Sequence, residues 1–382
     1  MKLRRVRIEN FRQILYWEHE FTDSLQRVRD VTLLVGPNAS GKTSILDAIA
    51  AAINPLTRIN ALRPGLEMSR KRIVRHGATF ARVEAEVEFS PAEIDTALAV
   101  LDMLEHKEGE EEAIRESKIV SFSWTFPDPS EKYAYGRTEC QPRLGWSIFR
   151  SRSRVAQLLA TQRLRNTNLL ESAGAVFTFD QQRSLFGRLI PRAIWDVLAN
   201  SGSLPELPPK LTVESPSEQD RRTTDPRLLL LSMAIQELLP PSRSTTQAEP
   251  SDFARVREAY ARICHPHSIT GAVRDDIERF DIEFYNGSTP YEYADLSSGE
   301  QMVLLILIRM ASERIHSSIL LVDEVELHQH PIWQRRLLDD LRQVGVNNQI
   351  IATTHSNYLR DVLPPAHVVT LGDIGDSKRK GG

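Results

Sequence analysis

Apolar and polar residues alternate with a period of two in several stretches of this chain. The cleanest is Arg82–Phe89, which reads RVEAEVEF. Such alternation predicts a strand with one buried face. Leu3–Asn10 sets Leu3, Val6 and Ile8 among basic residues and predicts another strand, with a second at Leu15–Phe21. Ile119–Phe126 and Leu144–Phe149 read alike. Val31–Val35 and Ile319–Val322 are short, nearly unbroken apolar runs. With Gln349–Thr353 they predict strands buried on both faces. Helix formers dominate Ser44–Ile53, and helices are also predicted at Arg227–Leu239, Asp252–Ile263 and Trp333–Val344. Residues 92–117 are helical in composition, with an acidic run at Glu108–Glu112 that suits a solvated helix face or loop.

The punctuation between these elements suggests three stretches. Residues 200–226 and 240–251 are rich in Pro, Ser and Thr and read as linkers. They frame a helical insertion over 184–279. An N-terminal lobe would occupy 1–183, with its own inserted region at 92–175. A C-terminal lobe would occupy 280–382. From Phe280 the order is strand, loop, apolar helix, strand, helix, strand, which predicts α/β packing with parallel strands.

Composition narrows the class. Of 382 residues 41% are hydrophobic, enough for a sizeable core. Lys and Arg number 48 against 51 Asp and Glu, a net charge of −3, so no global basic field argues for nucleic acid. Cys140 and Cys264 lie far apart without metal-type spacing, which fits a reducing cytoplasm. The basic N-terminus lacks an apolar signal core. The longest apolar run, Val303–Ile308, is far too short to cross a bilayer. A cytoplasmic protein without membrane contact is expected.

The chemistry is concentrated in four motifs. Gly36-Pro37-Asn38-Ala39-Ser40-Gly41-Lys42-Thr43 fits the phosphate-loop pattern G-x-x-x-x-G-K-[ST]. It lies between the strand Val31–Val35 and the helix that starts near Ser44. Its glycines let backbone N–H groups turn toward phosphate oxygens, and the helix adds the positive end of its dipole. Gly36, Asn38, Ser40, Gly41, Lys42, Thr43 and Ser44 are therefore the expected nucleotide contacts. Lys42 would reach the β- and γ-phosphates, and Thr43 would bind Mg²⁺. The strand Ile319–Val322 delivers Asp323 and Glu324. A strand ending in two acids, downstream of a phosphate loop, suits Asp323 to Mg²⁺ and Glu324 to polarising the attacking water as general base. Leu296-Ser297-Ser298-Gly299-Glu300-Gln301 opens an apolar helix, and hydroxyls at a helix N-terminus offer an anion site. Ile350–Thr354 leads to His355, which can hydrogen-bond a γ-phosphate.

In order and type these motifs resemble the ABC-type ATPases of the RecF, SMC and OLD group, OLD standing for overcoming lysogenization defect. The opening IENFR at Ile8–Arg12 is similar to the start of RecF- and SMC-like heads. The likeness covers roughly 1–90, 175–183 and 281–370. It implies an ABC-type P-loop ATPase head with a mixed sheet and a helical insertion. It also implies a Q-loop, for which Val176–Arg183 is the best stretch, with Gln181, Gln182 or Arg183 as its functional residue. After the two acids the chain reads Val325-Glu326-Leu327-His328-Gln329-His330-Pro331, without the usual D-loop Asp. That run resembles OLD-like proteins and, most of all, stand-alone ATPases of antiphage systems of the Septu and retron-associated type. Only Asn357–Gly382 follow the last motif, too short for an OLD-type nuclease domain, and no heptad arm is apparent.

The resemblance implies ATP and Mg²⁺ as ligands and a homodimer that sandwiches the nucleotide. Lys42, Thr43, Asp323, Glu324 and His355 of one copy would face Ser297 and Gly299 of the other, with Glu300 in the same motif. Higher oligomers stay open. The function expected is that of a sensor or regulator of a separate effector, a nuclease or toxin, in phage defence. The alternatives are a RecF-like ATPase that binds DNA in repair, for which Arg70–Arg75 and Arg150–Arg154 are local cationic candidates, and a nucleotide-gated scaffold with little turnover.

Overall fold

The computed structural model describes residues 1–57, 70–103, 111–128, 130, 136–160, 168–181, 225–238, 250–274 and 280–372. Contacts divide the chain into two compact units. The first comprises Met1–Gln181, Ile315–Glu326 and Gly345–Gly382; the second comprises Gln182–Arg314 and Leu327–Val344. The stretch 280–382, expected as one lobe, is thus shared between them. The inserted region 92–175 belongs to the first.

Two sheets and several helices build the first unit. The antiparallel sheet contains β1 (Lys2–Phe11), β2 (Ile14–Glu20), β4 (Ala81–Glu88), β5 (Ile119–Phe126) and β6 (Arg137–Gln141), in the order β2-β1-β4-β5-β6. Burial along β4 alternates strictly, as its sequence predicts. Register sets Val6 beside Ala85 and Ile8 beside Val83, so the apolar face is continuous across strands. The parallel sheet contains β3 (Val31–Val35), β7 (Val176–Phe179), β11 (Ile319–Val322), β12 (Gln349–Thr354) and β13 (Val368–Thr370), ordered β13-β3-β12-β11-β7. Every residue of β11 and β12 is buried, as both-face coverage requires. Helix α1 (Lys42–Thr57) contributes Ile45, Ile49 and Ile53 to one core shared with Leu3, Val6 and Val83 of the first sheet and Val176, Leu321 and Ile351 of the second. Helix α2 (Pro91–Asp102) starts in a capping box, with Ser90 and Glu93 satisfying each other's backbone N–H. Helix α3 spans Ser151–Ala160.

Among the described residues, the second unit packs four helices with a small sheet. Helix α4 (Pro226–Leu238) is buried from Leu228 to Ile235. Helix α5 (Asp252–Ile263) buries Phe253, Val256, Ala259, Tyr260 and Ile263, an i, i+3, i+4 stripe. Strands β8 (Ser268–Arg274), β9 (Phe280–Tyr285) and β10 (Pro290–Glu292) form an antiparallel sheet ordered β10-β9-β8. Helices α6 (Ser298–Ser312) and α7 (Pro331–Val344) complete the unit. A short helix, α8 (Asn357–Val362), closes the first unit after β12.

Two expectations are corrected. Leu144–Phe149 is not a strand: Gly145–Phe149 is helical and buries Gly145, Ile148 and Phe149 at helical spacing. Phe149 meets Phe89 and Phe122 edge-on, with ring centroids 5.0 and 5.9 Å apart. The insertion 184–279 is not helical throughout, because β8 lies within it.

Candidate nucleotide site

Parallel strands deliver their C-terminal ends to one edge of the sheet, where ligands of α/β folds bind. The phosphate loop follows β3, Asp180 and Gln181 follow β7, Asp323 and Glu324 follow β11, and His355 follows β12. Pairing of Val322 with both Ala352 and Phe179 sets these ends level.

The loop is shaped for an anion. Gly41 has φ +90°, which a side chain would disfavour. A Cβ at Gly36 would lie 2.6 Å from Ser40 Oγ and 2.9 Å from the Leu371 carbonyl oxygen, so the backbone approach needs glycine. Lys42 is 6% exposed, and its Nζ donates to the carbonyls of Gly36 and Pro37 at 2.8 Å each. Burial lowers its pKa from the ordinary lysine value, partly opposed by Glu324, Glu326 and Asp323. Ser40 Oγ is buried without a hydrogen-bond partner among the described residues. An orphaned hydroxyl, a glycine-walled cradle and a cation held by two carbonyls fit a phosphate chain. Asn38 is exposed on the loop, and the Ser44 hydroxyl donates to Gln13 Oε1 at 3.0 Å. Nearby, Arg12 of the IENFR run pairs with Asp47 of α1 at 2.6 Å.

The acids are held by a threonine that sequence reading overlooked. Thr43 Oγ1 donates to Asp323 Oδ1 at 2.9 Å, and Thr353 Oγ1 donates to the same oxygen at 2.7 Å. Thr353 Oγ1 in turn accepts the Glu324 N–H at 2.8 Å. One buried hydroxyl therefore sets both acids, and Glu324 adopts a left-handed backbone with φ 47°. Thr43 and Asp323 supply the hard oxygens that Mg²⁺ prefers, and phosphate oxygens and water would supply the rest. Among the described residues no three His, Cys, Asp or Glu side chains gather as a metal site.

Glu326 is the second residue missed. Its Oε1 accepts the His355 N–H at 2.5 Å, while its Oε2 is buried without a partner among the described residues. Its place in the Glu326-Leu327-His328 run was the available signal. The His355 side chain is exposed at the strand end. Gln181 is exposed after β7; Gln182 and Arg183 lie outside the described residues.

The signature turn belongs to the second unit. Ser297 caps α6 in a capping box: its Oγ accepts the Glu300 N–H at 3.3 Å and donates to Glu300 Oε2 at 2.7 Å. A Cβ at Gly299 would lie 2.5 Å from the His328 carbonyl oxygen, so glycine is required there too. Glu300, expected among the nucleotide contacts, is instead 3% exposed and turned into its own unit. Its Oε1 accepts from the Tyr260 hydroxyl at 2.7 Å and from Tyr291, and meets His267 Nδ1 at 2.9 Å. Burial raises its pKa, but hydrogen bonds from Tyr291, Ser297 and Tyr260 outweigh burial and hold the carboxyl below the ordinary range.

Comparison with known proteins agrees with this chemistry. A family model described as "AAA domain, putative AbiEii toxin, Type IV TA system" matches residues 143–361, and one described as "AAA ATPase domain" matches 1–194. The Septu protein PtuA of Bacillus thuringiensis is 28% identical over 114 residues, covering 26% of this chain and 28% of that protein. The Retron Ec83 probable ATPase of Escherichia coli is 33% identical over 72 residues, covering 16% of this chain and 13% of that protein. The aligned parts thus span under a third of either relative. Among solved structures, an SMC head bound to the C-winged helix domain of ScpA aligns with TM-score 0.49 and 15% identity, over 98% of this chain and 95% of that one. An SMC head domain from Thermotoga maritima aligns with TM-score 0.42 and 15% identity, over 94% and 92%. Each family model spans at least half of this chain, and the chain belongs to the AAA ATPase domain family.

Proposed function

We propose that the chain binds and hydrolyses ATP between two copies of itself, and that the cycle regulates a separate effector, a nuclease or toxin, in bacterial antiphage defence. The observation that carries hydrolysis is the hydroxyl of Thr353, which sets Asp323 and Glu324 beside Thr43 at the end of the phosphate-loop strand's sheet. Lys42 exchanges its carbonyl partners for phosphate oxygens. Thr43 and Asp323 would hold Mg²⁺, which when bound would neutralise charge on the phosphates. Glu324 takes a proton from water as the water oxygen attacks the γ-phosphorus, and the bond to the ADP oxygen breaks. His355 steadies the γ-phosphate.

The sandwich is supported by the signature turn. Ser297 presents a hydroxyl at the N-terminus of a fifteen-residue helix, an anion site in a unit separate from the one that carries the phosphate loop. The defence role is supported by the likeness to the Septu and retron proteins. A cytoplasmic setting suits two free cysteines, both buried, and among the described residues no helix is long and apolar enough to cross a membrane. The RecF-like alternative gains from one observation: Arg70, Lys71 and Arg72 are exposed side by side on a helical turn. DNA affinity that falls steeply with salt would favour that reading.

Ser297→Arg tests the sandwich. ATP binding to a single chain is expected to persist, while turnover falls at least ~100-fold, the range for loss of a transition-state donor. Nucleotide titration and a steady-state phosphate assay separate the two. Normal turnover by this variant would remove the signature turn from the site.

A further inference from the structure

The second unit holds a buried polar network that the proposed reaction leaves unused. Glu300 receives four amide and hydroxyl donors and meets one imidazole nitrogen. Ser297 supplies its N–H at 2.9 Å and its hydroxyl at 2.7 Å, both to Oε2. Tyr260 of α5, Tyr291 of β10 and His267, one residue before β8, converge on Oε1. A carboxylate 3% exposed is costly unless bonded in this way. The donors are themselves packed. His267 meets Trp333 and Tyr291 edge-on at 5.7 and 6.1 Å between centroids, and Tyr291 lies 5.6 Å from Phe284.

The arrangement has a consequence for Ser297. Its hydroxyl proton points to Glu300, so it donates to a phosphate only after turning away from that carboxylate. How readily it turns depends on how much of the negative charge is already satisfied at Oε1. Two hydroxyl donors and the His267 ring there weaken the hold of Oε2 on the serine and fix the rotamer of Glu300. Gly299, pressed against the His328 carbonyl, keeps the turn from relaxing around the change.

We propose that Tyr260, Tyr291 and His267 are positioning residues for the signature turn, acting through Glu300 to release the Ser297 hydroxyl for phosphate. This rests on the sandwich reading. It makes the small sheet β8–β10 and α5 the elements that tune nucleotide turnover, although none of the three carries a group to the nucleotide.

The test is Tyr291→Phe, which keeps the ring and its packing and removes one donor. His267→Phe, which keeps an aromatic ring against Trp333, is the second variant. Three quantities are read: ATP affinity of the single chain, saturated turnover and the melting temperature, with Ser297→Arg assayed in parallel. For each Phe variant, affinity is expected within about twofold of wild type and saturated turnover roughly tenfold lower, the size of one charge-assisted hydrogen bond. The double variant is expected to lose more than either single one. Unchanged turnover in both Phe variants, with Ser297→Arg inactive, overturns the positioning role and leaves the sandwich standing. A fall in turnover matched by equal falls in affinity and melting temperature also overturns it, as the network would then serve folding alone. Normal turnover of Ser297→Arg sinks the sandwich, and this inference with it.

Discussion

Lys42→Ala is expected to abolish ATP binding. The side chain is 6% exposed, and its ammonium donates to the carbonyls of Gly36 and Pro37. Burial already makes the charge costly there, as the lowered pKa shows. The ammonium is therefore poised to exchange two neutral acceptors for anionic phosphate oxygens, which bind it more strongly. Removing it forfeits those bonds and leaves Asp323, Glu324 and Glu326 uncompensated near the γ-phosphate. An affinity loss on the order of 100-fold or more is expected, about 3 kcal/mol. Calorimetric titration of the variant with Mg-ATP checks this. Unchanged affinity would remove the phosphate loop from the account. The fold should survive, because the α1 residues that build the core, Ile45, Ile49 and Ile53, are untouched.

Glu324→Gln is expected to separate binding from hydrolysis. The backbone of Glu324 is pinned by Thr353 and sits at φ 47°, so the side chain is aimed by strain and not by chance packing. Glutamine keeps its shape and loses the basic oxygen. Loss of a general base lowers turnover by about 10²–10⁴. Nucleotide affinity should hold or rise, and the ATP-bound pair of chains should accumulate. Single-turnover phosphate release with sedimentation of the Mg-ATP complex reads both effects. Rapid turnover by this variant would exclude Glu324 as the base.

The chemistry that is contiguous in the chain was legible in it. Eight residues carry the phosphate loop, and a strand ending in two acids carries the metal and the base. What was not legible depends on pairing between distant elements. The role of Thr353 follows from the parallel register of β11 and β12, which no local pattern reveals. Glu300 reads as part of a nucleotide-contacting motif, yet its partners Tyr260 and His267 lie 40 and 33 residues away and turn it inward. Leu144–Phe149 reads as a strand in sequence because short apolar runs do not distinguish the two periods, whereas Gly145–Phe149 is helical. The adjacent β6 escaped notice because it reads RTECQ, with only Cys140 buried. In β8 the register shifts between Ile269 and Gly271, and only Ile269 is buried, so its alternation is faint.

The central claim is that one chain's phosphate loop works with another chain's signature turn. Mixing two inactive variants, Lys42→Ala and Ser297→Arg, tests it most directly. In a mixed pair one composite site carries both defects, and its arginine faces a pocket that holds no nucleotide. The other site joins an intact Lys42 to an intact Ser297. Random pairing makes half the dimers mixed, each with one working site, so roughly a quarter of the wild-type rate should return. A mixture no more active than the sum of its two parents would contradict the shared site.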